Sequence, residues 1–150
     1  MKTNRIRPLA LCLFRHEGRI LVSTAYDSVK QDFYCRPLGG GIEFGERGAE
    51  AIVREIREEL GAEVEDVRRL GTLESLFTCE GEPGHEIVLI FDAAFADRSL
   101  YDRAVLQGHE AGAAVEAFTA EWKSPDELAA GSVRLVPEGL MEFLRDLGPL

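Results

Sequence analysis

The sequence is short of cysteine, of cationic side chains and of long apolar runs, and each shortage removes a class of explanation. It holds three cysteines, Cys12, Cys35 and Cys79. An odd number at that spacing suits neither a disulfide framework nor a cysteine-built zinc site. Cys12 lies within an apolar run and reads as a core residue. Unpaired thiols point to a reducing compartment, so a cytoplasmic location is expected. Lys and Arg total 17 against 27 Asp and Glu, a net charge of −10. Non-specific binding to nucleic acid or to a membrane surface draws on basic patches, so neither partner is expected. A nucleotide ligand stays open, because an acidic pocket can hold a divalent ion and the ion can hold phosphate. The apolar run at 9–14 is too short for a signal core or a membrane span. A buried strand accounts for it better, and no secretory signal is read.

What is present fits one domain over residues 1–150. A chain of this length can bury a core without disulfides. Residues 7–15 read as a strand, with Glu17-Gly18 turning into a partner strand at 19–26. A loop is expected at 27–33. The segment CRPLGGGIEFGE after it is too rich in Pro and Gly for a helix and reads as a glycine-rich loop. Residues 47–60 form the strongest helix, with Gly61 as its stop. A long bent strand follows at 63–79, a turn at 80–84 and a buried strand at 86–96. A long loop is expected at 97–112 and a strand at 114–122. Ser124 and Pro125 start a helix, as cap and first residue. A last helix at 137–147 puts Leu140, Phe143, Leu144 and Leu147 on one face. The fold class is therefore mixed α and β (α/β, α+β in type): a mixed sheet packed between helices.

The chemistry concentrates on the helix at 47–60. At roughly 100° per residue, Ile52, Val53, Ile56 and Leu60 fall within about 60° of Ala49 and form a core stripe. Glu55, Glu58 and Glu59 share a separate arc with Ala51, whose small side chain is read as leaving open space. Arg54 and Arg57 lie on the remaining side. Like charges at helical neighbour spacing cost a few tenths of a kcal/mol per pair when exposed, and more when partly buried. A hard divalent cation held by several carboxylate oxygens reverses that sign. The bland alternative is a solvated face with internal ion pairs, such as Arg54 with Glu58. Gly39, Gly40 and Gly41 weigh against it, because backbone polar groups can approach a ligand closely there, beside the carboxylates.

These residues resemble the box of the Nudix hydrolase (MutT-like) family. That pattern is a glycine, five residues, a glutamate, seven residues, then Arg-Glu-aliphatic-any-Glu-Glu-any-Gly-aliphatic. Here Gly40, Glu46, Arg54, Glu55, Ile56, Glu58, Glu59 and Gly61 meet it, and Ala62 is a small residue where a larger aliphatic is usual. The resemblance implies an α/β/α sandwich with a mixed sheet. It also implies Mg²⁺ or Mn²⁺ held by Glu58 and Glu59, with Glu55 as a further ligand or as base. A Gly39 or Gly40 carbonyl would complete the shell. Arg54 would orient the acids and Glu46 would pair with Arg54. The implied reaction is Mg²⁺-dependent hydrolysis of a pyrophosphate bond, in a nucleoside diphosphate linked to another group or in a nucleoside triphosphate. The catalytic candidates are thus Glu55, Glu58, Arg54 and Glu46, and the metal candidates Glu55, Glu58, Glu59 and Gly40.

Outside the box, Arg36 and Lys30 offer cations for substrate phosphates, and Gly39 and Gly41 offer backbone groups. Glu110 and Glu116 are candidates for a further ligand, base or substrate contact, against the alternative of surface glutamates. Phe33 and Tyr34 are read as core residues or as a stacking surface for a base. His85 reads as a strand-end histidine, and Trp122 as core with its polar tip partnered. A domain that senses nucleotide without cutting it is the alternative function. It is disfavoured because every box glutamate is present. A homodimer is carried as an expectation, since dimers are common among small enzymes.

Overall fold

The computed structural model describes residues 4–110 and 117–150. The first strand, β1 (Arg7–Leu13), is buried from Leu9 onward. It can be apolar throughout because it lies inside the sheet, parallel to β6 (Glu82–Phe95) and antiparallel to β4 (Asp32–Gly41). A two-residue strand, β2 (Arg15–His16), turns into β3 (Arg19–Asp27), which pairs with β4. Helix α1 (Gly48–Leu60) follows, then β5 (Val64–Cys79), which forms a long hairpin with β6. A 3-10 helix (Arg98–Asp102), β7 (Val105–His109) and β8 (Ala117–Lys123) come next. The chain closes with α2 (Pro125–Ala130), β9 (Arg134–Leu135) and α3 (Leu140–Leu147). The main strand order is β5-β6-β1-β4-β3-β8-β7.

Alternation along β1 feeds two cores. Ala10 and Cys12 point to the face covered by α1, where they join Leu38, Ala51, Ile52, Ile56 and Phe91. Leu9, Leu11 and Leu13 point the other way, with Ile20, Val88 and Ile90, under Leu128 of α2 and Leu140 and Leu144 of α3. Helices thus cover both faces of a mixed sheet, the α/β/α arrangement expected. Gly61 ends α1 in the left-handed region at φ 64°, and Ser124 caps α2 by accepting from the Glu127 N–H at 3.1 Å.

Several segments depart from the sequence reading. Residues 27–33 are not one loop, since β3 runs to Asp27 and β4 starts at Asp32. Gly39, Gly40 and Gly41 are strand residues rather than a loop, paired with Leu11, Ala10 and Leu9. Gly39 shows why: at φ 145° its backbone presses on β1, so that a Cβ would stand 2.9 Å from the Leu11 Cα and closer still to the Ala10 oxygen. Glycine here serves close strand packing, a role that turn statistics do not anticipate. The turn read at 80–84 is confined to Glu80-Gly81, and Pro83 and Gly84 belong to β6. The loop read at 97–112 contains the 3-10 helix and the edge strand β7, where burial alternates through Leu106 and Gly108. An edge strand buries little, so its hydrophobic signal is weak. The last helix begins at Leu140, later than read.

The tips of two hairpins are tied together. The buried Asp27 carboxylate accepts from the Val29 and Lys30 N–H groups at 3.0 Å each, and from the Glu80 N–H at 3.2 Å. Glu80 in turn accepts from the Ser28 N–H at 2.9 Å and from its hydroxyl. The Lys30 N–H above all, with those of Glu80 and Val29, holds the Asp27 carboxyl below its ordinary range against the opposing effect of burial. A depressed acid contributes stability that is present above its unfolded pKa and is lost as pH falls through the folded one. Asp27→Asn is therefore expected to lower the unfolding midpoint at neutral pH. The gap to wild type should narrow as pH falls below about 4. Thermal melts across pH check this, and a gap that widens in acid would contradict it.

Candidate active site

Helix α1 lies over β1 and β4, which brings its acidic residues onto the glycine segment. The Glu55 carboxylate rests on Gly40: a Cβ there would stand 2.6 Å from the Glu55 Cδ and Oε1. Ala51 is fully buried in the core, so the open space read above it does not exist. The acidic arc instead borders the core, and Glu59, one helical turn beyond Glu55, is itself buried at 6% exposure. Burial first, then the hydrogen bond and charge of Glu55, then the charge of Glu110, push the Glu59 carboxyl up to about 9. Arg36 opposes the shift. The same set of effects puts Glu55, Glu59, Glu110 and Arg36 in one neighbourhood.

Arg54 organises the other side. Its Nε and Nη2 donate to Glu46 at 2.7 and 2.9 Å, a two-pronged pair. Nη2 also donates to the Gly41 carbonyl at 2.9 Å. Nη1 donates to Glu55 at 3.0 Å and to Glu58 at 3.2 Å. Hydrogen bonding to Glu46 is the main cause that drives the Arg54 pKa further upward, and Arg54 in turn holds the Glu46 carboxyl low. One guanidinium thus ties the strand end, the following loop and two acids of α1 into a single frame.

Glu55 and Glu59 are brought together, whereas Glu58 faces Arg54. Among the described residues no three His, Cys, Asp or Glu side chains converge as a ready-made cation cage. The donor chemistry still suits a small hard cation, since only oxygens are on offer. Such an ion would let Glu59 ionise beside Glu55, which burial and the Glu55 charge otherwise oppose. Glu58, 40% exposed at its side chain, is free to turn toward them.

The remaining candidates are dispersed. Gly39 is buried under β1, and Gly41 offers its carbonyl to Arg54. Glu116 lies outside the described residues. Lys30 sits in the β3–β4 turn. Phe33 is exposed and packs on Tyr26 with ring centres 4.9 Å apart, so it is not core. Tyr34 is half-buried, its hydroxyl 3.8 Å from the Cys79 Sγ. Trp122 is buried and donates to the Arg103 carbonyl at 3.0 Å. Sequence reasoning passed over Asp27, Arg7 and Glu86. Arg7 Nη2 is 3.8 Å from the position a Gly41 Cβ would take, and Arg7 faces Glu86 at 3.6 Å. An acid placed mid-strand in β6, two residues before the buried Val88, was the available signal for Glu86. A cleft of about 870 Å³ lies elsewhere, lined by Arg15, Asp92 and Tyr101 and by none of the α1 glutamates. No helix among the described residues is long and apolar enough to cross a membrane.

The chain is 32% identical to the NAD-capped RNA hydrolase NudC of Mycobacterium tuberculosis, over 87% of this chain and 42% of that protein. Its counterpart in Mycobacterium bovis is 31% identical. The chain thus spans about two fifths of the length of the curated relatives it matches. Those relatives act on a capped RNA, so the argument from net charge against a nucleic-acid partner is weaker than composition made it. Among solved structures, a NUDIX hydrolase from Nitrosomonas europaea aligns with TM-score 0.64 at 17% identity, covering 95% of this chain and 88% of that one. A MutT NUDIX hydrolase from Burkholderia pseudomallei aligns with TM-score 0.56 at 21% identity, covering 83% and 88%. A family profile described as NUDIX domain matches residues 4–145, and with it the chain belongs to the Nudix hydrolase family.

Proposed function

We propose that this chain is a Mg²⁺- or Mn²⁺-dependent pyrophosphohydrolase, acting as a single domain on a nucleoside diphosphate linked to another group or on a nucleoside triphosphate. The observation that carries the reading is the buried Glu59 carboxyl beside Glu55, whose own carboxylate rests on Gly40. Ionising both acids at this spacing is costly without a cation between them. Glu55, Glu58 and Glu59, with the Gly40 backbone, would hold the ion. A bound divalent ion would offset the charge that develops on the phosphate oxygens.

The chain's own residues supply the rest. Arg54, locked by Glu46 and Gly41, keeps Glu55 and Glu58 at the end of the strand instead of letting them disperse into solvent. A carboxylate of this group takes a proton from the attacking water, which approaches one phosphorus in line with the bond that breaks. Arg36 lies where its charge reaches Glu59 and is offered to substrate phosphate. Arg7 lies beyond Gly41.

The mycobacterial relatives are named for hydrolysis of NAD-capped RNA, and NAD is itself two nucleotides joined through a pyrophosphate. NAD and an NAD-capped oligonucleotide therefore belong in the test panel. With them go dinucleoside polyphosphates, nucleotide sugars, ADP-ribose and (d)NTPs, each with Mg²⁺ and with Mn²⁺. Metal-dependent release of a nucleoside monophosphate from at least one class is expected. Binding without cleavage across the panel would favour a nucleotide-sensing domain.

A further inference from the structure

The buried positions of edge strand β7, Leu106 and Gly108, turn the same way. Leu106 joins the core beneath α1, and Gly108 comes up against the last turn of that helix. A Cβ at Gly108 would stand 2.8 Å from the Glu59 carbonyl oxygen, and 2.5 and 2.9 Å from Cζ and Cε1 of Phe118. Phe118 is its partner across the β7–β8 ladder. Gly108 has no positive φ, so no turn demands glycine there. The close approach of strand to helix demands it.

The two obstacles differ in kind. The Phe118 atoms are the far end of a side chain that can rotate. The Glu59 oxygen is main chain and moves only with the helix. Gly84 in β6 shows the simpler case: Phe77, its cross-strand partner, supplies all the atoms nearest a Cβ there. That glycine makes room for a ring alone. The carbonyls of a helix's last turn have no partner further along the helix. Where that turn stands therefore depends on what packs against it. Glu59 lies in this turn and is buried beside Glu55. β7 also leads directly to Glu110, whose charge reaches Glu59.

We propose that Gly108 is a positioning residue of the active site: having no side chain, it seats β7 on the main chain of Glu59 and so fixes where the Glu59 carboxyl stands relative to Glu55 and the Gly40 backbone. Gly108 itself touches neither metal nor substrate and acts through Glu59. The assignment rests on the pyrophosphohydrolase reading, since it takes Glu59 to be a metal ligand. A side chain at position 108 pushes the helix end away and loosens the cation site without removing any ligand.

The test measures Mn²⁺ affinity by calorimetry, beside metal-dependent turnover, on the full chain. Gly108→Ala should weaken Mn²⁺ binding by about 10- to 100-fold, the scale for residues that hold a metal ligand in place. Gly84→Ala crowds only a ring and should leave the affinity unchanged, whatever it does to the melting temperature. Phe118→Ala should also leave it unchanged. Gly108→Ala combined with Phe118→Ala removes the ring clash and keeps the main-chain clash, so its affinity should stay as low as that of Gly108→Ala. The double variant also stands in if Gly108→Ala alone does not fold, which circular dichroism checks. In a Glu59→Gln background, Gly108→Ala should weaken binding no further, because the ligand through which it acts is gone. Affinity restored in the double variant would make Phe118 the reason for the glycine and would overturn the proposal. So would unchanged affinity in Gly108→Ala, or its full loss repeated on top of Glu59→Gln. The two readings fail separately. If Gly108→Ala weakens Mn²⁺ binding through Glu59 yet wild type cuts no nucleotide, the positioning role stands and the hydrolase reading falls. If wild type cuts nucleotide and its Mn²⁺ affinity is indifferent to Gly108→Ala, the hydrolase reading stands and the positioning role falls. A wild type that binds no Mn²⁺ overturns both.

Discussion

Glu59→Gln and Glu58→Gln are each expected to cut metal-dependent turnover by about 10²- to 10⁴-fold, the range typical of a positioned catalytic carboxylate, while the fold persists. The two should differ in every other respect. Glu59 is buried beside Glu55 and held neutral without metal, so an amide there matches the acid in shape and charge and removes only the ligand. The metal-free Glu59→Gln protein should melt no lower than wild type, and added Mg²⁺ or Mn²⁺ should stabilise it less than it stabilises wild type. Glu58 is more exposed and bound to Arg54. Its amide leaves the buried pair intact, so part of the metal-dependent rise in melting temperature should survive. Turnover with metal and melting with and without metal, measured on both variants, decide the matter. Near-normal Mg²⁺-dependent activity in both would end the assignment of these residues to catalysis.

The sequence made α1 legible because its signals agree. The apolar stripe, the acidic arc and the glycine stop all name the same span, and Gly48–Leu60 is helical as read. The layered fold followed from strands on both sides of that helix. Burial was less legible. A helical wheel ranks residues by angle, and angle alone placed Ala51 in open space. The sheet beneath decides which flank is covered: β1 and β4 cover Ala51, and Gly108 of β7 lies against the Glu59 backbone. Contacts between distant hairpin tips were not legible at all. Nothing local to Asp27 announces that the Glu80 N–H will meet it from 53 residues away. Glu86 was hidden for a similar reason. An acid within a buried strand takes its meaning from the neighbouring strands, and these bring Arg7 beside it.

Gly39 and Gly40 look interchangeable in the sequence, yet alanine should have opposite consequences at the two. At Gly39 the backbone sits at φ 145°, and a Cβ would collide with the main chain of β1, which cannot yield without unpairing the sheet. Gly39→Ala should cost on the order of 3 kcal/mol, with a marked fall in melting temperature and soluble yield. Gly40 has no positive φ, and the atoms a Cβ would meet belong to the far end of the Glu55 side chain. That side chain can swing away at little cost to the fold. Gly40→Ala should therefore melt close to wild type while losing turnover to a degree comparable with Glu59→Gln, because Glu55 no longer rests beside Glu59. Stability and kinetics measured on the pair separate the roles. A stable, inactive Gly40→Ala beside an unstable Gly39→Ala is the expected result. An active Gly40→Ala would mean that the contact between Glu55 and the strand serves packing alone.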